Sequence, residues 1–372
     1  MRSENLKSPK TSTHTGAVSQ SVASLVIALM ISAAIMGVCG YNPIEAYGAI
    51  FMGSFGSLRG IAQTLTQATP LIFTGLAFTF AKKASLINLG VEGQMYMGAL
   101  GAALIGCMDL GLPTALHLML AIMNGMLFGA AYAGIIGVLK VKFDSNEVVA
   151  SFMLNSISTY IVGYLLNGPL LAEGSSVAQT ERVCATAKIP RIFSKYQVTI
   201  AVFIAAAACI FIKWFIDHTV MGYEIRNVGM NRRAAQTAGI HVGKTLIVTM
   251  CISGAIAGMA GVNQVLGVDR RLINDFSPGY GFIGIAVSAL AAESPLGTIA
   301  AGAIFGILRA GTMELNRTTG IPIEFVDVIQ AMVVIVVSAP LMVQGFFHTL
   351  RHLRDRFLHK GKNTAAKGGY GI

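Results

Sequence analysis

The side chains able to do chemistry in this chain are few, and they sit among apolar residues. The densest cluster is in residues 87–94, "INLGVEGQ", where Asn88, Glu92 and Gln94 follow directly on Lys82 and Lys83 between two apolar runs. A charge deep in lipid costs roughly 2.5 kcal/mol or more, so such a cluster needs a purpose. Three readings are open for Glu92. It lines an aqueous path, it pairs with Lys82 or Lys83, or it serves the first turn of the next helix, where backbone N–H dipoles favour a carboxylate.

Two further polar stripes recur at helical spacing: Ser151, Asn155, Ser158 and Thr159, and Gln63, Gln67, Pro70 and Thr74. Spacings of three and four place each set on one helix face, where polar groups join helices or line a cavity. Gly254, Gly258 and Gly261 recur at close-packing intervals, with Asn263 and Gln264 just beyond them, and there packing is the expected role.

Catalytic constellations are absent from the sequence. The seven histidines (His14, His117, His218, His241, His348, His352, His359) make no H-E-x-x-H, and no G-x-S-x-G elbow occurs. The five cysteines (Cys39, Cys107, Cys184, Cys209, Cys251) are dispersed, with neither metal-ligand spacing nor a disulfide pattern. There is no G-x-x-x-x-G-K-[ST] loop, so any ATP used must be bound by another subunit.

The elements that must position these residues are membrane helices. Of 372 residues, 54% are hydrophobic and 12% charged, with mean hydropathy +0.66; soluble domains carry about 25% charge. Apolar runs near 20 residues recur, the length that crosses a bilayer. About ten spans (8–10) are expected, at 20–40, 62–81, 92–108, 114–139, 147–167, 196–216, 244–266, 281–292, 296–312 and 322–345. The eighth is too short to cross alone, so a neighbour must be broken, tilted or re-entrant. The fold class is thus an all-α polytopic membrane protein.

With the amino terminus inside, cytoplasmic segments collect 18 of the 27 Lys and Arg residues. That bias places both termini in the cytoplasm and accounts for the net charge of +10 without nucleic acid. The first run follows a long polar leader and reads as a retained span rather than a cleaved signal. The expected organisation is a leader at 1–19, a membrane domain at 20–345 and a basic tail at 346–372. An outer loop (168–195) and an inner loop (217–243) are the longest connections. In the inner loop "NRRAAQTA" predicts a short surface helix, with Asn231 as its cap. Spans two to five and seven to ten have the arrangement of an inverted repeat. Each group is interrupted after its first span, by "INLGVEGQ" and by "INDFSPGYGF", expected on opposite faces.

An ordered set of segments resembles the membrane subunit of bacterial ABC importers, in the branch for branched-chain amino acids, nucleosides and simple sugars. "INLGVEGQMYMGALGA" looks like the mark of its nucleoside and simple-sugar permeases. "NEVVASFMLNSISTYIVGYLLNGPL", "YEIRNVGMNRRAAQTAGI", "SGAIAGMAG", "SPGYGFIGIAVSAL", "SPLG" and "GIPIEFVDVIQ" continue the match in order across residues 20–345. Two departures stand out. Arg232 and Arg233 follow Asn231 where relatives often have proline and an acidic or small residue, and Glu293 replaces a more basic or Asn-rich turn. Both fall on the side expected to face the ATPase.

The resemblance implies a subunit without catalysis of its own, in the inner (cytoplasmic) membrane. Its partners would be a second, related permease chain, an external substrate-binding lipoprotein, and an ABC ATPase that binds ATP and Mg. The segment 222–239 would couple to that ATPase through Glu224, Arg226, Gly229, Asn231, Ala234, Ala235 and Gly239. Asn88, Glu92, Gln94 and Asn155 would belong to the translocation path or its framework. Nucleosides and simple sugars fit the branch. The alternatives are a permease of the same family for sugars or branched-chain amino acids, and an ion-gradient-driven secondary transporter.

Overall fold

A computed structural model describes residues 14–193, 195–322 and 324–338. Most of the leader, the basic tail with His348, His352 and His359, and the end of the tenth expected span lie outside the described residues. Among the described residues the fold is helical, with two isolated β-bridges. In chain order the helices are α1 (His14–Val38), α2 (Pro43–Phe55), α3 (Leu58–Lys82), α4 (Val91–Gly106), α5 (Thr114–Phe143), α6 (Glu147–Asn167), α7 (Ala201–His218), α8 (Val220–Met230), α9 (Arg232–Thr237), α10 (Val242–Asn263), α11 (Tyr280–Leu290), α12 (Gly297–Thr319) and α13 (Glu324–Ser338). A π-helical turn, Gln264–Val268, extends α10.

Among the described residues, four helices are long and apolar enough to cross a membrane by length and composition: α5, α6, α7 and α10 with its π turn. Each expected span has a helix in it. The sequence reading missed α2, whose 13 residues are too few for a span, although Asn42 and Pro43 form a standard helix start. α2 packs on α12, and the Ser54 hydroxyl donates to the Ile307 carbonyl at 2.7 Å.

Close backbone approach organises the centre of the bundle. α4, α5 and α10 meet through Gly98, Gly125, Gly129, Gly254 and Gly258, and a Cβ on Gly98 would collide with the Gly258 backbone. Gly261 lies against the Met95 carbonyl in the same way. The stripe expected to pack on neighbours therefore does so.

α4 and α11 are short. At 1.5 Å per residue their 16 and 11 residues reach roughly 24 and 16 Å, against a hydrocarbon core of about 30 Å. Each is preceded by a non-helical stretch that runs among the other helices, with Leu86, Asn88 and Leu272 buried. The loop at 168–195 is tied down rather than free. Thr180, Val183 and Ile189 donate backbone bonds to Leu272, Arg270 and Leu266, and Cys184 donates to Gly106.

Candidate functional site

The two polar interruptions meet. They were expected on opposite faces, yet the first residues of α4 and of α11 touch inside the bundle. Glu92, second residue of α4 and 6% exposed, accepts a hydrogen bond from the Gly281 N–H at 2.5 Å. Gly281 is the second residue of α11, so the carboxylate sits where backbone N–H groups lack helical partners. Glu92 does stand at a helix start, but the turn it caps belongs to α11 rather than to its own helix. Among the described residues it makes no ion pair with Lys82 or Lys83. No Cβ fits on Gly281, because Glu92 backbone occupies the space.

The amides around this contact are spent on structure. Asn88 and Gln94 exchange two bonds, Nδ2 to Oε1 at 3.0 Å and Nε2 to Oδ1 at 2.9 Å. Asn88 also donates to the Ser253 hydroxyl on α10 at 2.8 Å and accepts from the Gly90 N–H. Asn155 on α6 reaches across to take the Gly93 N–H and give to the Leu89 carbonyl, both at 2.8 Å. The start of α4 is thus held by side chains from α6, by α10 and by its own preceding turn. Full satisfaction of buried polar groups makes such a network rigid.

From α3, Gln67 accepts from the Tyr280 hydroxyl at 2.6 Å, and the Thr74 hydroxyl donates to the Tyr280 carbonyl at 3.0 Å. The α3 stripe therefore joins helices. Gly284 lies directly on Thr74, with no space for a side chain between α11 and α3.

A second cluster lies at the α7–α10 connection. The loop at 217–243 is a hairpin of two helices, α8 and α9, where the sequence predicted one. The Thr219 hydroxyl caps α8 by accepting from the Gly222 N–H, and Asn231 Oδ1 caps α9 by accepting from Arg233 and Ala234 at 3.0 and 3.2 Å. Asn231 is thus the helix cap that the sequence indicated. α8 buries Gly222, Ile225 and Val228 on one face and exposes Tyr223 and Met230 on the other.

Of the expected coupling residues, Gly229 presses on the Lys83 carbonyl with no space for a Cβ, and Ser85 donates to the Gly229 carbonyl at 2.9 Å. Arg226 pairs with Asp217 at 3.5 Å. Ala235 is buried and Ala234 exposed. Gly239 ends the hairpin with φ of 85°, which favours glycine, and it lines a cavity of about 320 Å³ together with Glu224 and His241. Burial pulls the Lys83 ammonium below its usual pKa, opposed by the nearby carboxylates of Glu293 and Asp217. The unusual Glu293 is therefore close to Lys83, on which the end of α8 rests.

The sequence reading singled out neither Arg309 nor Gln330. With Asp327 they line an open cleft between α11, α12 and α13. The usable signal was an arginine inside the apolar run 296–312, since ionisable groups within spans mark function by default.

Comparisons with known proteins place the chain in a family. A family described as "Branched-chain amino acid transport system / permease component" matches residues 60–338, from α3 through α13. The chain is 30% identical to the guanosine ABC transporter permease protein NupP of Bacillus subtilis over 343 residues, covering 91% of this chain and 96% of that one. It is 31% identical to the nucleoside ABC transporter permease protein NupB of Lactococcus lactis subsp. cremoris, covering 92% and 96%. The glucose ABC transporter permease protein TsgB13 of Haloferax volcanii is 29% identical over 89% of this chain and 88% of its own length. Matched from α3 to α13 and aligned with such relatives over nine-tenths of its length, this chain belongs to the permease-component family of branched-chain amino acid transport systems.

Proposed function

We propose that this chain imports nucleosides or simple sugars as one of two permease subunits of an ATP-driven transporter. It is a multi-pass membrane subunit without ATPase activity of its own; an ABC ATPase partner binds ATP and Mg and hydrolyses the nucleotide. The second permease is a related chain, and an external binding lipoprotein delivers the solute. The expected setting is the cytoplasmic (inner) membrane of a bacterium, with ten spans and both termini inside. α4 and α11 then enter from opposite faces as half-spans of an inverted repeat that pairs α3–α6 with α10–α13.

One observation carries the mechanism: the α8–α9 hairpin and the α4–α11 junction are the two ends of one short piece of chain. Gly229 and Ser85 lock α8 onto the turn at residues 83–85. Three residues further, Asn88 begins the saturated network that seats Glu92 on Gly281. A push on the hairpin by a closing ATPase is delivered through 83–88 to the junction as displacement, because neither end has slack. Two discrete packings of such a junction convert that push into alternating access.

The test replaces Gly229 with leucine in the assembled transporter. Membrane insertion should persist while uptake and solute stimulation of ATP hydrolysis fall roughly tenfold, equivalent to about 1.4 kcal/mol of coupling. Normal solute-stimulated hydrolysis in G229L would remove the hairpin from the mechanism.

A further inference from the structure

Most polar atoms of the junction are paired, but the cleft between α11, α12 and α13 is different. Its volume is about 560 Å³, and Phe282, Phe305, Arg309, Asp327 and Gln330 are among its walls. A smaller cavity of about 220 Å³ shares Arg309 and Asp327 with it and adds Gln67, Tyr280 and Thr312. Binding sites for small organic molecules occupy about 300–1,000 Å³.

Two observations point to a missing ligand. Gln330 is 4% exposed, yet its amide nitrogen has no hydrogen-bond partner among the described residues. Arg309 Nη1 is buried and likewise without a partner. Each such group costs about 1–3 kcal/mol if nothing ever meets it, and both residues line the same cleft. The guanidinium is also fixed in place: it stacks 5.4 Å above the Tyr280 ring, whose hydroxyl is held by Gln67. On α13, Asp327, Gln330, Ala331 and Val334 follow one helix face along the cleft.

The chemistry of the walls selects the occupant. Arg309 and Asp327 balance in charge and form no ion pair with each other among the described residues, so each is free to meet a ligand. A solute of net charge would be repelled by one of the two; a zwitterionic amino acid would satisfy both but lies outside the nucleosides and sugars of the proposed function. Phe282, Ile283 and Ile335 supply apolar surface that a free sugar, hydroxylated on every side, cannot use. A flat heteroaromatic ring with acceptor atoms at its edge, joined to a hydroxylated ring, uses all of it.

We propose that this cleft holds a ribonucleoside on its way through the protein. Arg309 and Gln330 donate to acceptor atoms of the base, Phe282 flanks the base, and Asp327 accepts from the ribose hydroxyls. The assignment rests on the reading of the chain as an importer of nucleosides or sugars, and within it selects nucleosides.

The test uses the permease–ATPase complex in lipid nanodiscs, without the external binding protein. Ala331→Cys places a thiol in the cleft, and maleimide labelling is compared with the parent chain to subtract the native cysteines. Guanosine should slow labelling at Cys-substituted position 331, and ribose should not. Adding Asp327→Asn or Gln330→Leu should raise the half-protecting guanosine concentration about tenfold or more, the loss expected for one hydrogen bond at a charged or buried partner. Asp327 is exposed, so its variant should reach the membrane even if Gln330→Leu does not fold. Guanosine uptake by the complete parent transporter is measured in parallel. If the parent imports guanosine but guanosine gives no protection, or the variants do not weaken it, the cleft assignment is wrong and the importer reading stands. If the complete parent imports ribose and no nucleoside, the nucleoside selection falls with the cleft.

Discussion

The α4–α11 junction and the α8–α9 hairpin both contain the starts of two helices, and they cap those starts by different means. In the hairpin the caps are local: Thr219 serves Gly222, and Asn231 serves Arg233 and Ala234. In the junction distant caps are added to local ones: Ser277 serves Tyr280 and Asn88 serves Gly90, but Asn155 serves Gly93 from 62 residues away, and Glu92 serves Gly281 from 189. A hairpin with local caps keeps its shape whatever the bundle does, as a part pushed by another protein must. The junction holds only while α4, α6, α10 and α11 are assembled, so its geometry reports the state of the whole bundle. The difference separates a rigid lever from the element it moves.

Three substitutions would break or sharpen that contrast. The largest effect is expected from Gly281→Val, whose side chain would displace the Glu92 backbone and so separate α4 from α11. Overpacking against backbone should cost about 3 kcal/mol or more, seen as loss of folded protein after detergent extraction. A G281V chain as thermostable as the parent would show that the two helix starts need not touch. Asn155→Ala is next. It leaves the Gly93 N–H and the Leu89 carbonyl without their partner, at an expected cost of about 2 kcal/mol in thermal unfolding. No loss of stability there would mean that α6 does not hold α4. The smallest effect on the bundle belongs to Asn231→Ala, which removes a cap worth about 1 kcal/mol to α9 alone. Thermal unfolding of the bundle should barely move in N231A while solute-stimulated ATP hydrolysis falls. A large drop in bundle stability would mean that the hairpin is not mechanically separate.

The same contrast governs what the sequence could reveal. Asn231 announced its role because a cap and the helix it caps are neighbours in the chain. Apolar runs likewise disclosed the helices, and Gly254, Gly258 and Gly261 disclosed a packing face, since both signals repeat at helical intervals. α8 was harder to see, because its buried face is only Gly222, Ile225 and Val228 amid polar residues. The partner of Glu92 could not be read at all. Both interruptions were visible, but whether they lie on opposite faces or meet depends on how deep each half-helix starts. No local pattern encodes that depth. Gln330 was hidden for a related reason: its significance lies in what it fails to touch, and an unpaired atom leaves no trace in a sequence, whereas Arg309 left one signal, its charge inside an apolar run.

The bond between Glu92 and Gly281 also sets an order of events during synthesis. The carboxylate is made 189 residues before the N–H that receives it. At about 5–20 residues per second, acceptor precedes donor by roughly 10–40 s. Throughout that interval α3 and α4 hold an acidic side chain whose intended partner does not exist. The amino-terminal half therefore cannot settle into lipid as a finished unit, and must be sheltered by the insertion machinery or by its own helices until α11 arrives. The contact that joins the two half-helices thus waits for α11, with α12 and α13 still to follow.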